Sequence, residues 1–575
     1  IINKREGKRM SNSKYALAMY DVRGKQEYIF KTNKLKEIVG GSCIIRDCFK
    51  EYLFPSAEEY MRRKAKKEGI PLSDDAVCGI YNYNDSENEP EYISEINKGK
   101  EFSQKAFERM MQDEKCAARY AGEVVYEGGG NFFVLYKDKE TCIEINKIFT
   151  RKLLKELYTL KVLCTYIELE NGLVNFIEDR KKLYEKHRIS EAEESVICPV
   201  NTLPFVQVDE VTSLPLTKYN ENTRKKVSTE AEAKLAKHLD VYNEKYGEKD
   251  LDKLVTRKGE ESLLAVVYID GNNMGAKVQN VLGRETSYDQ CVKKLRETSE
   301  FIQKNYVEDR IKDIDQMLEE KAKKGKKKAG KRLVVFAGDE INLICNARDA
   351  YDIAKTYLKG LHQVSWKDST EPCSACAGIA IFHSHAPYAQ AYKIAEECCE
   401  SGKTRMKKLE KAREKEGKSK EVCYIDVHYC QKGIGMSLDD IREKEVGGLI
   451  SKPWLLDMED EKNTTSKMPE DITIMEIEKV VEALQMIESR TNVKDLAVAA
   501  KLSEGAFNLE MRRIYAHQSD EDIKRRMKEI FVQEDREEFG QKYKKYRKMI
   551  YDIVIVYDLW FRKEEGEEKY GNNSK

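Results

Sequence analysis

Residues 333–345, Leu-Val-Val-Phe-Ala-Gly-Asp-Glu-Ile-Asn-Leu-Ile-Cys, carry the clearest structural signal in the chain. Two short apolar runs flank the polar sequence Gly338-Asp339-Glu340. Apolar runs separated by a turn that contains glycine are typical of a β-hairpin. Glycine at 338 allows a positive φ angle and a close approach of the backbone to a ligand. The stretch therefore predicts a hairpin with acidic residues at its turn.

Strands and helices are predicted on both sides of this hairpin. Before it, the apolar run 263–269 ends in Asp270-Gly271, and helical sequence follows from about 288 to 321. After it come a helix (349–363), a strand (375–382), a helix (387–400) and a strand (422–429). Strand, helix, hairpin, helix and strand is the element order of a ferredoxin-like α/β sandwich.

The same order of elements occurs earlier in the chain. The apolar run 15–20 ends in Asp21, and the hairpin 124–136 follows after a long helical stretch. Its turn is Gly128-Gly129-Gly130-Asn131, and a helix (141–157) and a strand (161–169) come next. Two such units in one chain suggest a pseudo-symmetric pair of domains with a site between them.

These patterns predict a mixed α/β (α+β) fold with two ferredoxin-like palm domains. At 575 residues the chain is too long for a single hydrophobic core. We expect a disordered tail at 1–13, a first palm at 14–195, a linking module at 196–250, a second palm at 251–435 and a helical domain at 436–575. Apolar residues at three- and four-residue steps after Ile477 indicate that this last domain is a helical bundle.

The composition argues against several classes of protein. The sequence contains no run of about 18 apolar residues, so no membrane-spanning helix is predicted. The 102 basic and 102 acidic residues balance, which leaves no net field that favours nucleic acid. The 15 cysteines follow no disulfide framework and favour a reducing, cytoplasmic location.

Three carboxylates converge if the second unit has the predicted topology. Asp270 ends a buried strand, and Asp339 and Glu340 lie on the hairpin that neighbours this strand in a ferredoxin-like sheet. Mg²⁺ (or Mn²⁺) is typically held by one or two carboxylates together with substrate phosphates. Two such ions could activate an attacking 3′-hydroxyl and stabilise departing pyrophosphate. We therefore expect Asp270, Asp339 and Glu340 to be metal ligands and catalytic residues that act on nucleoside triphosphates.

Several neighbouring residues are candidates for phosphate binding. They are Gly271, Asn272, Asn273 and Gly275 after the first strand, Gly338 in the hairpin turn, and Lys403 and Arg405 after the helix that starts at Pro387. Free backbone N–H groups where a turn opens a helix can hold phosphate. Surface salt bridges are the alternative for the two cations. Asp-Gly and Gly-Asp-Glu sequences also occur in ordinary turns.

The chain resembles the large polymerase/cyclase-type subunit of type III CRISPR effector complexes, a family related to GGDEF cyclases. Segments 20–24, 268–275, 336–340 and 377–381 carry the resemblance. The family has two palms, a linking module and a helical C-terminal domain, and its second palm converts ATP into cyclic oligoadenylates. The resemblance implies that Asp339 and Glu340 occupy the acidic pair of the GGDD motif, and Asp270 the strand-end metal aspartate.

The chain departs from the family pattern at several positions. The motif is Ala-Gly-Asp-Glu, in which Glu340 matches GGDEF enzymes. The first unit keeps Asp21 but has Gly130-Asn131 in place of Asp339-Glu340, so we expect it to bind an acceptor nucleotide or to brace the active palm. No histidine is directly followed by aspartate, so the HD nuclease domain of many family members is not expected.

Three functions are consistent with these residues. The first is an ATP-dependent nucleotidyltransferase that makes cyclic oligoadenylate second messengers in antiviral defence, with CRISPR complex subunits and guide or target RNA as partners. The second is a scaffold subunit of an RNA-guided complex with a silent palm. The third is a stand-alone synthase of a cyclic di- or mononucleotide. The intact carboxylates favour an enzyme.

Overall fold

The computed structural model describes residues 15–32, 34–84, 102–128, 131–193, 205–222, 224–240, 247, 253–255, 262–323, 330–416, 421–430, 437–456, 471–487, 489–525 and 539–561. The predicted tail at 1–13 and the glycines Gly129 and Gly130 of the first hairpin turn lie outside this range. No helix in the described ranges is long and apolar enough to cross a membrane.

The chain forms two compact units. Unit 1 comprises Ile1–Asn243 and Asn273–Lys304, and unit 2 comprises Glu244–Asn272 and Asn305–Lys575. The backbone therefore leaves unit 2 directly after Asn272 and returns to it after Lys304. Residues 273–304 precede the second hairpin in the sequence but group with unit 1.

Unit 1 is built on a five-stranded sheet. Its strands are β1 (Tyr15–Arg23), β2 (Gly79–Tyr81), β3 (Tyr120–Gly128), β4 (Asn131–Tyr136) and β5 (Lys161–Leu169), in the order β2-β3-β4-β1-β5. Strands β6 (Lys218–Asn220) and β7 (Lys225–Val227) form a separate hairpin. The central strand β1 is antiparallel to both of its neighbours.

Ten α-helices and the π-helix Phe49–Leu53 belong to the described part of unit 1, and the α-helices are numbered in chain order. They are α1 (Lys25–Phe30), α2 (Leu35–Cys48), α3 (Phe54–Glu68), α4 (Gln104–Gln112), α5 (Glu114–Arg119), α6 (Lys139–Glu156), α7 (Phe176–Ala192), α8 (Thr229–Asp240), α9 (Met274–Leu282) and α10 (Tyr288–Ile302). Strand β1 alternates between two hydrophobic cores, with Ala18 and Tyr20 in one and Leu17 and Met19 in the other. This period of two places helices on both faces of the sheet.

Unit 2 is built on a seven-stranded sheet. Its strands are β8 (Leu263–Gly271), β9 (Lys331–Ala337), β10 (Glu340–Asn346), β11 (Ala375–His383), β12 (Cys423–Tyr429), β13 (Trp454–Leu456) and β14 (Ile472–Thr473), in the order β14-β13-β12-β11-β8-β10-β9. Its helices are α11 (Asp309–Lys323), α12 (Ala350–His362), α13 (Tyr388–Glu416), α14 (Leu438–Val446), α15 (Ile474–Gln485), α16 (Arg490–Leu502), α17 (Glu504–His517) and α18 (Phe539–Trp560).

The predicted mixed α/β fold with two ferredoxin-like sheets is confirmed. The orders β3-β4-β1-β5 and β9-β10-β8-β11 are equivalent, because in each the first strand lies between the hairpin and the strand after the next helix. Two details differ from the prediction. Helix α13 continues to Glu416 instead of ending near 400, and the segment after 436 adds β13 and β14 to the second sheet.

Candidate active site

The hairpin β9–β10 turns through two residues, Gly338 and Asp339. Ala337 and Glu340 are paired across the hairpin, and Gly338 has a φ angle of 66°. Two-residue hairpin turns of the primed types need a positive φ at their first position, where glycine carries no steric penalty. Of the two reasons that the sequence offers for glycine at 338, the turn shows the positive φ, and it presents Asp339 at the end of the sheet.

The sheet register brings Glu340 and Asp270 together. They are direct Cα partners across the antiparallel pair β10–β8. Side chains of directly opposed residues lie on the same face of a sheet, with Cβ atoms about 5 Å apart. The pairing of β8 and β10 therefore brings together two of the three predicted carboxylates, which are 70 positions apart in the sequence.

Asp339 and Asp270 form a pair of interacting carboxyl groups. Burial raises the pKa of Asp339 to about 7, and the charge of Asp270 and a hydrogen bond between the two side chains add to the rise. Two neighbouring carboxylates repel each other when both are ionised, so they retain a proton that an isolated aspartate would lose. A cation between them would remove the need for that proton.

Lys403 supplies a positive charge to this pair. Its Nζ atom lies 2.5 Å from Oδ2 of Asp270. Burial is the largest single effect on Lys403 and opposes its charged form, but the charge of Asp270 and the hydrogen bond to it, with smaller contributions from Cys399 and Cys376, together raise the pKa of the lysine. The exposed fractions of the two side chains are 15% and 28%, so the ion pair is accessible to a ligand that competes for either partner.

Glu340 has a different partner. The hydroxyl group of Tyr392 donates a hydrogen bond of 3.4 Å to Oε1 of Glu340. The ring of Tyr392 packs edge-on against Tyr268, with a centroid distance of 5.5 Å. The sequence analysis did not identify Tyr392, because its place beside Glu340 depends on how helix α13 crosses the sheet.

Helix α13 covers the sheet face that carries these groups. Tyr392, Cys399 and Lys403 follow one another at seven- and four-residue steps and contact β10, β11 and β8 in turn. The helix comes so close to β11 that a Cβ atom added at Gly378 would lie 1.8 Å from the carbonyl oxygen of Ala395. One helix thus contacts both Glu340 and Asp270.

Two predicted phosphate ligands are engaged elsewhere. Nε of Arg405 lies 2.5 Å from Oδ1 of Asp471, whose side chain is buried. The Asn272 side chain is also buried, and its Nδ2 atom donates to Ser374 Oγ and to the carbonyl oxygen of Val422. The structure therefore does not bring Arg405 to the carboxylates, and the Asn272 amide ties the end of β8 to the strands beside it.

The other glycine-rich positions lie where β8 gives way to α9. Gly271 is the last residue of β8, and Asn273 precedes α9 in the left-handed conformation with a φ of 55°. A Cβ atom added at Gly275 would meet nothing within 4 Å, so the start of α9 is open at this position. Asn273 and Gly275 belong to unit 1. Their contact with a phosphate stays a prediction.

In unit 1, Asp21 occupies the position that Asp270 has in unit 2, but the charges around it differ. Asp21 pairs in register with Asn131, which is neutral and stands where unit 2 has Glu340. Arg23 lies 3.2 Å from Oδ2 of Asp21, and Nε2 of His187 lies 3.5 Å from the same oxygen. An open pocket of about 290 Å³ is lined by residues 21–26. Asp21 thus pairs with the guanidinium group of Arg23, lies near the ring of His187 and lacks the acidic partner at the opposing position.

The donor set at Asp270 and Asp339 fits a magnesium ion. Within the described ranges, no three His, Cys, Asp or Glu side chains are already gathered as a metal cluster. Mg²⁺ commonly uses only one or two carboxylates and takes its other ligands from water and substrate phosphates. The carboxyl groups of Asp270 and Asp339 supply two hard oxygen donors, and they interact through a hydrogen bond, so they match this requirement.

The chain was compared with known proteins. No family model and no curated protein matches it. It is similar to the solved structure of an apo Csm1–Csm4 cassette (TM-score 0.44, 11% identity, 96% of this chain and 71% of that chain). The same cassette in complex with pppApA has a TM-score of 0.46 and 12% identity, and the match covers 95% of this chain and 69% of that chain. Csm1 of T. onnurineus has a TM-score of 0.44 and 11% identity, and the match covers 96% of this chain and 70% of that chain.

Proposed function

We propose that the chain is a nucleotidyltransferase of the type found as the large subunit of type III CRISPR complexes, and that it makes cyclic oligoadenylates from ATP. One observation carries the proposal. Asp270 and Asp339 interact at the end of a palm-like sheet, and Glu340 opposes Asp270 in register. The sequence resemblance supports ATP as the substrate, and CRISPR subunits and guide or target RNA as partners.

Asp270 and Asp339 would hold Mg²⁺, with Glu340 as a further ligand. When bound, this ion supplies electrostatic stabilisation of the charge that develops on the triphosphate. Asp339, whose pKa is raised to about 7, would release its proton on becoming a metal ligand. Position 338 is a glycine and has no side chain, so the backbone of the turn could approach the phosphates closely there.

Lys403 would exchange partners when the nucleotide binds. Its ammonium group neutralises Asp270 in the metal-free site. If Asp270 held a divalent ion, Lys403 would no longer be needed to neutralise it, and its ammonium group would be available to a triphosphate. The ammonium group of Lys403 would thus neutralise Asp270 in the metal-free site and part of the triphosphate charge in the nucleotide complex. Phosphoryl transfer depends mainly on such positioning and charge balance.

The test is direct. Purified full-length protein is incubated with ATP and Mg²⁺ or Mn²⁺, and pyrophosphate release and product masses are recorded. We expect cyclic adenylates from the wild type and loss of activity in the Asp339→Ala, Glu340→Ala double variant. Asp522→Asn is a control that removes one exposed charge, since this side chain is 77% exposed. Unchanged activity in the double variant would refute the assignment of the site.

A scaffold role with a silent palm is the second candidate. The ion pair between Lys403 and Asp270 favours it, because this pair neutralises a carboxylate that a metal would need. A scaffold would purify with RNA or partner subunits and would release no pyrophosphate, even with its target RNA present. The stand-alone synthase would be active without RNA, and its product mass would correspond to a cyclic di- or mononucleotide.

A further inference from the structure

Helix α13 brings two tyrosines to β10. Tyr388 and Tyr392 are four residues apart, about one helical turn, so their side chains lie on the same face. The hydroxyl of Tyr388 donates to Oδ1 of Asn342 at 2.6 Å, and that of Tyr392 donates to Oε1 of Glu340 at 3.4 Å. Residues two apart on a strand point to the same side, so the two tyrosines make parallel contacts with one face of β10.

Packing fixes the position of Tyr392 independently of its hydrogen bond. Its side chain is buried, and its ring meets that of Tyr268 at an interplanar angle of 89°. Tyr268 lies two residues before Asp270 on β8 and is paired with Asn342. The hydroxyl of Tyr392 is therefore held beside Glu340 by a rigid aromatic contact with the strand that carries Asp270.

We propose that Tyr392 is a positioning residue for Glu340: its hydroxyl binds one carboxylate oxygen and directs the other toward a divalent cation held by Asp270 and Asp339. This inference rests on the proposed function. Metal-ligating carboxylates are themselves held by hydrogen bonds, and removal of such a partner typically weakens metal binding about 10- to 100-fold.

The test measures metal affinity instead of activity. Mn²⁺ binding to the full-length protein is followed by the electron paramagnetic resonance signal of the free ion. We expect Tyr392→Phe to weaken Mn²⁺ binding about 10-fold, because phenylalanine keeps the ring contact and removes only the hydroxyl. Tyr388→Phe is the matched control, since it removes an equivalent hydroxyl from the same helix, and it should leave Mn²⁺ affinity unchanged.

Two results would overturn the inference while the proposed function stands. One is wild-type Mn²⁺ affinity in Tyr392→Phe, and the other is equal weakening in both tyrosine variants, which would indicate general loosening of α13. Mn²⁺ binding is also measured in Asp339→Asn. If this variant loses the binding seen in the wild type, the Mn²⁺ site is the one formed by the carboxylates. A wild-type protein that neither binds Mn²⁺ in this way nor releases pyrophosphate would overturn both proposals.

Discussion

The ammonium group of Lys403 lies 2.5 Å from the carboxylate of Asp270, and Asp270 in turn interacts with Asp339. One cation therefore serves two acidic groups. The charge of Lys403 lowers the pKa of Asp339, against the larger effects of burial and of Asp270. The charges of these two carboxyl groups are thus linked through a single lysine.

Replacing Lys403 by glutamine should destabilise the protein more at pH 8 than at pH 6. At pH 8 both carboxylates are ionised and repel each other without compensation, whereas at pH 6 Asp339 keeps its proton. We expect a loss of about 1–2 kcal/mol in the free energy of unfolding at pH 8, since the pair is only partly buried. Urea denaturation at the two pH values measures it. Lys403→Arg keeps the charge and should show a smaller difference; an equal loss at both pH values would contradict the prediction.

Asp339 should make the metal-free protein less stable as the pH rises toward 7. The pKa of Asp339 is raised to about 7 in the folded state, whereas an unfolded aspartate ionises near 4, so the folded state binds the extra proton between these values. The free energy of unfolding should fall by at most about 1.4 kcal/mol per pH unit in this window. Thermal or urea unfolding from pH 5 to 8 measures this slope. Asp339→Asn should abolish it, and identical pH profiles would count against the carboxyl pair.

Magnesium binding should release a proton at pH 6 and release almost none at pH 8.5. At pH 6 Asp339 is mainly protonated, and a divalent cation displaces its proton as it binds. Calorimetric titrations in two buffers with different ionisation enthalpies give the number of protons released. Asp339→Asn should lose the proton release at pH 6, together with most of the metal binding. A release that is equal at pH 6 and 8.5 would point to another group.

Arg405 should contribute to stability and not to nucleotide binding. Its guanidinium group pairs with the buried carboxylate of Asp471, so Arg405→Gln leaves a buried charge without this partner. We expect a loss of about 2–3 kcal/mol in the free energy of unfolding. The KM for ATP should not change, whereas Lys403→Gln should raise it several-fold. A raised KM in Arg405→Gln at unchanged stability would reverse these roles.

The contrast between Lys403 and Arg405 shows where sequence reasoning stops. The predicted helix ends near residue 400, with both cations after it as candidates for either phosphate binding or surface salt bridges. The observed helix continues to Glu416. Residues two apart on a helix project about 200° from each other, so one faces the carboxylates and the other faces away. The end of a helix in charged sequence is weakly encoded, because lysine and glutamate continue a helix well.

The carboxylates themselves were predictable for a different reason. The element order of a ferredoxin-like unit determines which strands are neighbours, so Asp270 and the hairpin turn had to meet once the strands were identified. Gly338 was predictable because its turn requires a positive φ. The contacts of Asn272 and Tyr392 were not predictable from the sequence, because each residue binds a partner on another part of the sheet. Local sequence contains no information on those contacts.

The chain passes from unit 2 to unit 1 after Asn272, and this affects the order in which the two units can fold during translation. One hydrophobic core of unit 1 includes Leu282, Tyr288 and Leu295, which the ribosome makes only after β8. Unit 1 therefore cannot complete this core while it is the only part synthesised. Strand β8, with Asp270 at its end, must wait for β10 and β11 to emerge. Neither unit can be released as one uninterrupted fragment, and a gene that encodes either unit alone would need a new join in the backbone.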